Sequence, residues 1–442
     1  YFIGIGGISM SGLAEILLKE GFTISGSDNK ESALTDHLEQ MGAKVFYGQK
    51  ASNIIPGIDV VVYTAAIHPD NEEYAEAVRQ KLPMLTRAEL LGQLMTNYDM
   101  PIAISGTHGK TTTTSMLSHI LLAGELDPTI SVGGILKAIG GNIRVGDSEY
   151  FVTEACEYTN SFLHFFPKIG VILNIDEDHL DFFKDLADIR NSFHRFAKLL
   201  PKDGTLVIND NIPDLEEITA DLDCRVIRYG NDSSLDYSAT NVLHDKKGEA
   251  SFDLVKSGEF IDRISLSVNG DHNVSNALAA IAIGLRYDVP MSAIKAQLST
   301  FSGQRQNIIH VNDYILIDDA YNASPDSMKA SLSILSEFKT RGRKIAVLSD
   351  MLELGPDSPE YHKEVGRFIA TTKVTDLFIT GELSRHYIEE AWKENPSLHT
   401  RAFSSNGELI AFLETYLKKN DVVLIKGSNG MNLKEVSKAL MA

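Results

Sequence analysis

Ile102-Ala103-Ile104-Ser105-Gly106-Thr107-His108-Gly109-Lys110-Thr111-Thr112 is the stretch that decides the fold. Its apolar head reads as a buried strand and its tail as a glycine turn opening a helix, the order found in parallel α/β sheets. A phosphate chain asks for backbone N–H groups left bare by glycine, a helix N-terminus, a lysine, and a hydroxyl suited to magnesium. Gly106, Thr107, His108, Gly109, Lys110, Thr111 and Thr112 supply these in sequence. The spacing is tighter than the common G-x-x-x-x-G-K-[ST], because Ile104 stands where the first glycine would fall. The plain alternative is a left-handed turn ahead of an ordinary helix.

Outward from this stretch, the pattern of a short apolar run followed by a turn and an amphipathic segment begins twice more. Residues 2–5 form one such run, with Gly4, Gly6 and Gly7 in the turn and Ile8, Leu13, Ile16 and Leu17 on one helical face. Residues 314–319 form the other. Further strands are expected at 23–27, 60–63, 150–153, 169–173, 205–208, 344–348, 376–379 and 422–425. Between 232 and 269 the texture changes to alternating, turn-punctuated segments, as in an antiparallel patch. At roughly 150 residues per domain, 442 residues make about three. Joints are expected at Asp99-Met100-Pro101 and Phe301-Ser302-Gly303, dividing the chain into 1–99, 100–303 and 304–442. The expected fold is α/β throughout: a Rossmann-like first domain, a phosphate-loop ATPase domain with a mostly parallel sheet, and a Rossmann-like third domain.

Composition narrows the function. A 43% apolar and 23% charged chain has the balance of an ordinary soluble protein. The net charge of −19 repels nucleic acid and anionic lipid, so neither is an expected partner and any anionic ligand must be held by a local device. Two cysteines, Cys156 and Cys224, exclude a disulfide scaffold and fit a reducing compartment, so the cytoplasm is expected. No uncharged apolar run is long enough to insert in a membrane. The chain opens at Tyr1 inside an apolar run, so residues are expected to precede it.

Four more clusters carry chemistry. Glu154 and Asn174-Ile175-Asp176-Glu177-Asp178-His179 follow apolar runs, where neighbouring parallel strands would set them beside the phosphate loop, and carboxylate with imidazole suits magnesium on phosphates. Gly4-x-Gly6-Gly7-x-x-x-x-Gly12, with Asp28 about 20 residues on, fits a diphosphate at a helix N-terminus. Gly270-Asp271-His272-Asn273-Val274-Ser275-Asn276 precedes an alanine-rich helix, either reading a purine edge or capping that helix through Asn273. Gln304-Arg305, Asp318-Asp319 and Tyr321-Asn322 offer a mobile arginine and acids; an ion-paired surface arginine is the alternative. Cys156 reads as a packed small residue.

Together these motifs resemble, over essentially the whole chain, the ATP-dependent Mur ligases, which build the peptide of bacterial peptidoglycan. Residues 2–12, 59–67 and Thr86-Arg87-Ala88-Glu89 resemble the branch that adds L-alanine to UDP-N-acetylmuramate. So does Glu154-Ala155-Cys156-Glu157 with Ser161-Phe162-Leu163, although that branch has Asp where Cys156 stands. Phe193 occupies the position at which later-acting members carry a modified lysine, which again favours the alanine branch. Residues 318–328, 348–355 and 426–431 instead resemble the branch adding D-alanyl-D-alanine.

The resemblance implies roles. Lys110 and the loop amides would hold the β/γ-phosphates of ATP; Thr111 and Glu154 one Mg2+, and His179 a second. His272, Asn273 and Asn276 would face adenine. Gly6, Gly7, Ser9, Met10, Ser11, Asp28, Ala65, His68 and Arg87 would bind the UDP substrate. Arg305 and Asp319, with Tyr321 and Asn322, would come from the third domain on closure. The implied reaction makes an amide between UDP-N-acetylmuramate and L-alanine through an acyl phosphate, with D-alanyl-D-alanine as the alternative amine. A nicotinamide oxidoreductase built on the first glycine turn, or a non-catalytic nucleotide-binding scaffold, would leave Lys110, Glu154, His179 and Arg305 unexplained as a set.

Overall fold

Gly4 bends the first strand short. Its φ of 82° ends the extended run at Ile3 rather than Ile5, and the N–H groups of Gly4 and Ile5 both turn to Ser27 O at 2.8 Å. The structure, a computed structural model, describes residues 1–442 apart from Ala65, Ala66, Asp181, Lys246, Lys247, 303–306, Tyr321, Asn322, Glu353 and Ala442. The chain forms two compact units, Tyr1–Ile175 with Arg190–Ser302, and Asp176–Ile189 with Gly303–Ala442. One boundary between the units falls at Ser302–Gly303, and residues on both sides of 99–101 share one unit.

The first unit holds two sheets. In one, β1 (Phe2–Ile3), β2 (Ser25–Asp28), β3 (Lys44–Tyr47), β4 (Val61–Tyr63) and β5 (Met84–Thr86) run in the order β3-β2-β1-β4-β5, all parallel. The other comprises β6 (Met100–Ser105), β7 (Thr129–Leu136), β8 (Gly141–Arg144), β9 (Tyr150–Glu154), β10 (Ile169–Ile172), β11 (Thr205–Asn209), β12 (Arg225–Gly230), β13 (Tyr237–His244), β14 (Glu249–Lys256) and β15 (Glu259–Asn269). Its order is β15-β14-β13-β12-β11-β10-β6-β9-β7-β8. The expected antiparallel patch is β13 to β15. A second antiparallel edge, the β7–β8 pair, escapes sequence reading because its glycine-rich strands lack alternation. Central strands β10 and β11 are buried end to end, as strands covered on both faces must be.

The Lys110–Ala123 and Asp271–Arg286 helices share one core, where Met116, Leu117, Ile120 and Leu121 meet Ala277, Ala280 and Ile281. Small residues permit the close approach: a Cβ on Gly284 would lie 2.7 Å from Ile120 Cγ2. Contacts also join the two sheets' domains. Asn142 Nδ2 donates to Ile8 O at 2.6 Å, Gly12 leaves room for Ile143, and Gly92 leaves room for the His164 carbonyl.

In the second unit β16 (Asn307–Val311), β17 (Tyr314–Asp319), β18 (Lys344–Ser349), β19 (Asp376–Thr380), β20 (His399–Phe403) and β21 (Val422–Lys426) run in the order β16-β17-β21-β18-β19-β20. Only β16 is antiparallel to its neighbour, and both faces of the sheet are covered by apolar clusters. Among the described residues no helix is long and apolar enough to cross a membrane.

Two glycines give opposite expectations. Gly92→Ala drives a methyl into the His164 backbone and should lower stability by about 1–3 kcal/mol, read as a lower midpoint in urea. Gly407→Ala, in the exposed first turn of Asn406–Tyr416 with nothing nearer than 3.9 Å, should be neutral or raise stability by up to about 1 kcal/mol.

Candidate active site

β6 delivers the chain into the phosphate loop, and the Lys110–Ala123 helix leaves it. Gly106 (φ 140°) and Gly109 (φ 86°) occupy backbone conformations that disfavour side chains. Space forbids side chains as well: a Cβ on Gly106 would meet Leu173 Cβ at 2.9 Å, and one on Gly109 would meet Asn276 Oδ1 at 2.5 Å. Asn174, just beyond β10, grips the loop by accepting from His108 N (2.7 Å) and donating to His108 O (3.0 Å), while its carbonyl accepts from Thr107 N. The result is a stiff turn at the positive end of a 14-residue helix.

Because β6 lies between β10 and β9, the residues ending those strands flank the loop. On the β9 side, Glu154 Oε2 accepts from the Thr111 hydroxyl at 3.0 Å and Oε1 from Gly133 N at 2.6 Å. A hydroxyl and a carboxylate this close form a hard oxygen pair that fits magnesium. Among the described residues no group of three or more His, Cys, Asp and Glu could hold a metal ion. An ion here would therefore draw most of its ligands from phosphate and water.

Sequence reading gave Glu157 no role, yet it is the charge partner of Lys110. Lys110 Nζ lies 2.8 and 3.1 Å from the Glu157 oxygens, 2.5 Å from Gly106 O and 3.1 Å from Thr107 O. Glu157 is 1% exposed, so this ion pair is well shielded. The neighbouring Cys156 thiol is pushed up to about 11, by desolvation first and then by the Glu157 charge, and is no nucleophile at neutral pH.

On the far side of the loop, the helix starts at Asp271 with Gly270 at its cap, three residues earlier than a cap at Asn273 would require. Asn273 is therefore helical and buried, its amide donating to Asn269 O and accepting from Asn276. Asn276 faces the phosphate loop at Gly109, and His272 is exposed.

The glycine turn after β1 borders a cavity of about 450 Å³ lined by Gly4, Asp28, Asn29, Gln49, Thr64, Ile67, His68, Asp70 and Asn71. Asp28 accepts from Gly6 N at 2.9 Å, so its carboxylate braces the turn as well as lining the cavity. Gly7 caps the Ile8–Lys19 helix, and Ser9 is half-buried on its first turn. Helical spacing turns the Met10 and Ser11 side chains inward, Met10 into the core and Ser11 back to Ile8 O. Their side chains do not face the turn's open side. Ala65 lies outside the described residues.

His179 lies in the segment Asp176–Ile189, which groups with the second unit. That segment is anchored in its own unit by Tyr361 OH donating to Glu177 at 3.0 Å. His179 adopts φ 54°, and its carbonyl accepts from Phe182 N and Phe183 N. Asp319 is 5% exposed and committed to Lys426 Nζ (2.7 Å) and the Ser331 hydroxyl (2.6 Å), a pairing that sequence reading missed. Thr112 is half-buried, whereas Gln304, Arg305, Tyr321 and Asn322 lie outside the described residues. Phe193 is fully buried, edge-on to Phe162 at 5.4 Å, where no charged side chain would fit.

Comparison with known proteins agrees along the chain. Residues 1–99 match the Mur ligase family catalytic domain, 104–284 the Mur ligase middle domain and 304–429 the Mur ligase glutamate ligase domain. A UDP-N-acetylmuramate–L-alanine ligase of Agathobacter rectalis is 55% identical over 341 residues, 76% of this chain and 74% of that one. The enzyme of the same name from Clostridium kluyveri is 43% identical over 441 residues, 97% and 95% of the two chains. The crystal structure of UDP-N-acetylmuramate-alanine ligase from Thermotoga maritima has the same fold, with TM-score 0.80 and 24% identity over 99% of this chain and 97% of that one. With family models covering all three sheets and the phosphate loop, this chain belongs to the Mur ligase family.

Proposed function

We propose that the chain is a cytoplasmic ligase that joins the lactyl carboxylate of UDP-N-acetylmuramate to the amino group of L-alanine, converting ATP to ADP and phosphate, in peptidoglycan synthesis. The observation that carries this is the glycine cradle with Lys110 on one side and Thr111–Glu154 on the other, in a chain 43% identical over 97% of its length to an enzyme named for that reaction. The domains are proposed as 1–99 for the UDP substrate, 100–303 for ATP and 304–442 for the incoming amine.

An amine cannot displace oxide from a carboxylate. A carboxylate oxygen instead attacks the γ-phosphorus, the bond to the β–γ bridging oxygen breaks, and ADP leaves. The amine then attacks the acyl carbon and phosphate departs with that carboxylate oxygen. The obstacle is charge: at 4 Å and an effective dielectric near 20, each like-charge pair costs roughly 4 kcal/mol. Lys110 and the helix N-terminus meet the phosphates, while Arg305, from the third domain, adds a cation at the γ-phosphate. Thr111 and Glu154, with His179, would hold magnesium, which screens phosphate charge when bound. Asn276 and Asn273 stand on the adenine side, beside His272. Gly6, Gly7, Ser9, Asp28, His68 and Arg87 serve the UDP substrate, and Asp319, Tyr321 and Asn322 the amine. The third domain's likeness to the D-alanyl-D-alanine branch keeps that dipeptide as the second reading.

Lys110→Ala should reduce ADP release by about 100-fold or more and, because it leaves the buried Glu157 carboxylate without its counter-charge, lower the melting temperature of a protein that still folds; turnover at the native rate would remove the ligase reading. With oxygen-18 in the sugar carboxylate, label should appear in released phosphate. Phosphate release should be strongest with L-alanine among L-alanine, glycine and L-serine; activity confined to a UDP-muramoyl tripeptide plus D-alanyl-D-alanine would establish the second reading instead.

A further inference from the structure

Glu73 lies in the helix Glu72–Arg79, wholly buried, and no motif marks it. Its Oε1 accepts from Asn53 Nδ2 (2.6 Å), the Tyr1 hydroxyl (2.8 Å) and Lys50 N (3.3 Å), and its Oε2 from Ser27 Oγ (2.5 Å). None of these donors is a cation. A carboxylate so placed is tolerable only when its lone pairs are met, and four donors from three segments meet them. Burial, foremost, pushes the Tyr1 phenol well above its usual range, so it remains a donor.

These donors sit behind the two walls of the 450 Å³ cavity. Ser27 is the residue whose carbonyl receives Gly4 N and Ile5 N, and its neighbour Asp28 holds Gly6 N. Fixing Ser27 therefore fixes the glycine turn. On the other wall, Asn53 Nδ2 also donates to Gly48 O at 2.9 Å, so Glu73 holds the chain on both sides of Gln49, through Asn53 to Gly48 and directly at Lys50. Gln49 is oriented too. Asn71 Oδ1 is committed to Glu73 N and Tyr74 N, which leaves its Nδ2 to donate to Gln49 Oε1 at 2.7 Å. The group Gln49 then offers a ligand is its amide nitrogen, a donor for a carbonyl or phosphate oxygen.

We propose that Glu73 is a positioning residue for the nucleotide-sugar pocket, tying the glycine turn to the wall that carries Gln49 and Asn71. It touches no substrate and acts through Ser27, Asn53 and Lys50. The proposal rests on the first domain binding the UDP substrate.

The test compares KM for UDP-N-acetylmuramate, ATP and L-alanine, with direct binding of UDP-N-acetylmuramate by calorimetry, in Glu73→Ala, Glu73→Gln and Asn53→Ala. Glu73→Ala leaves four donors without an acceptor and should raise KM and Kd for the sugar nucleotide about tenfold or more, with kcat and KM for ATP within about twofold. Glu73→Gln should recover most of the loss, because its oxygen can replace Oε1 and its nitrogen can donate to Ser27 Oγ, which reverses to accept. Asn53→Ala, which cuts only the link to Gly48, should raise the same KM about threefold and serves if Glu73→Ala does not fold. An unchanged sugar-nucleotide KM in a folded Glu73→Ala or Asn53→Ala protein overturns the proposal, as does an equal rise for all three substrates. Failure of the native chain to bind or turn over UDP-N-acetylmuramate defeats the underlying reading instead, so the two failures are distinct.

Discussion

A backbone that must come within hydrogen-bonding reach of a phosphate cannot carry a side chain in the way. In this chain the positions that exclude a side chain are Gly106 and Gly109, and their neighbours in the central domain are arranged around them. Asn174 clamps the loop from the end of β10, Leu173 and Asn276 press against the glycines, and Glu154 reaches Thr111 from the end of β9. The sheet order makes this possible: only with β6 between β10 and β9 do residues 68 and 48 positions away from Gly106 become its neighbours.

The same device, a strand end presenting a charged group to its neighbour, recurs in the second unit. Asp319 and Lys426 end β17 and β21 in register, as Lys110 and Glu157 flank the loop in the first. Both pairs are buried to a degree at which an unpartnered charge would be untenable, and removing one member leaves the other costly. Such pairs set geometry more than they add stability. A lysine with a fixed counter-charge is held near one orientation, which is what a group meant to receive phosphate oxygens requires.

What sequence reading recovers and what it misses divide by range. The phosphate loop, the runs that became β6, β9, β10, β11 and β17, and the antiparallel patch are local patterns, and they lie close to where they were expected. Glu154 and Asn174 were placed correctly at strand ends because strand ends are local too. Glu157 with Lys110, Asp319 with Lys426, and Glu73 with Ser27 are separated by 47, 107 and 46 residues, and nothing in their immediate surroundings announces the pairing. Met10 and Ser11 show the reverse: the glycine motif continues through them, but the helix has begun at Ile8 and its turn points their side chains inward.

Phe193 shows how a departure from a family pattern becomes physical. A lysine at that position would need a polar surrounding, yet Phe193 packs edge-on to Phe162, which itself stacks on Phe196 at 4.8 Å. The aromatic cluster lies under the segment carrying Glu157 and Ser161, so its packing supports the same turn that brings the carboxylate to Lys110. Apolar volume at Phe193 makes this part of the domain core, and the charged groups described beside the loop in the first unit are Lys110, Glu154 and Glu157.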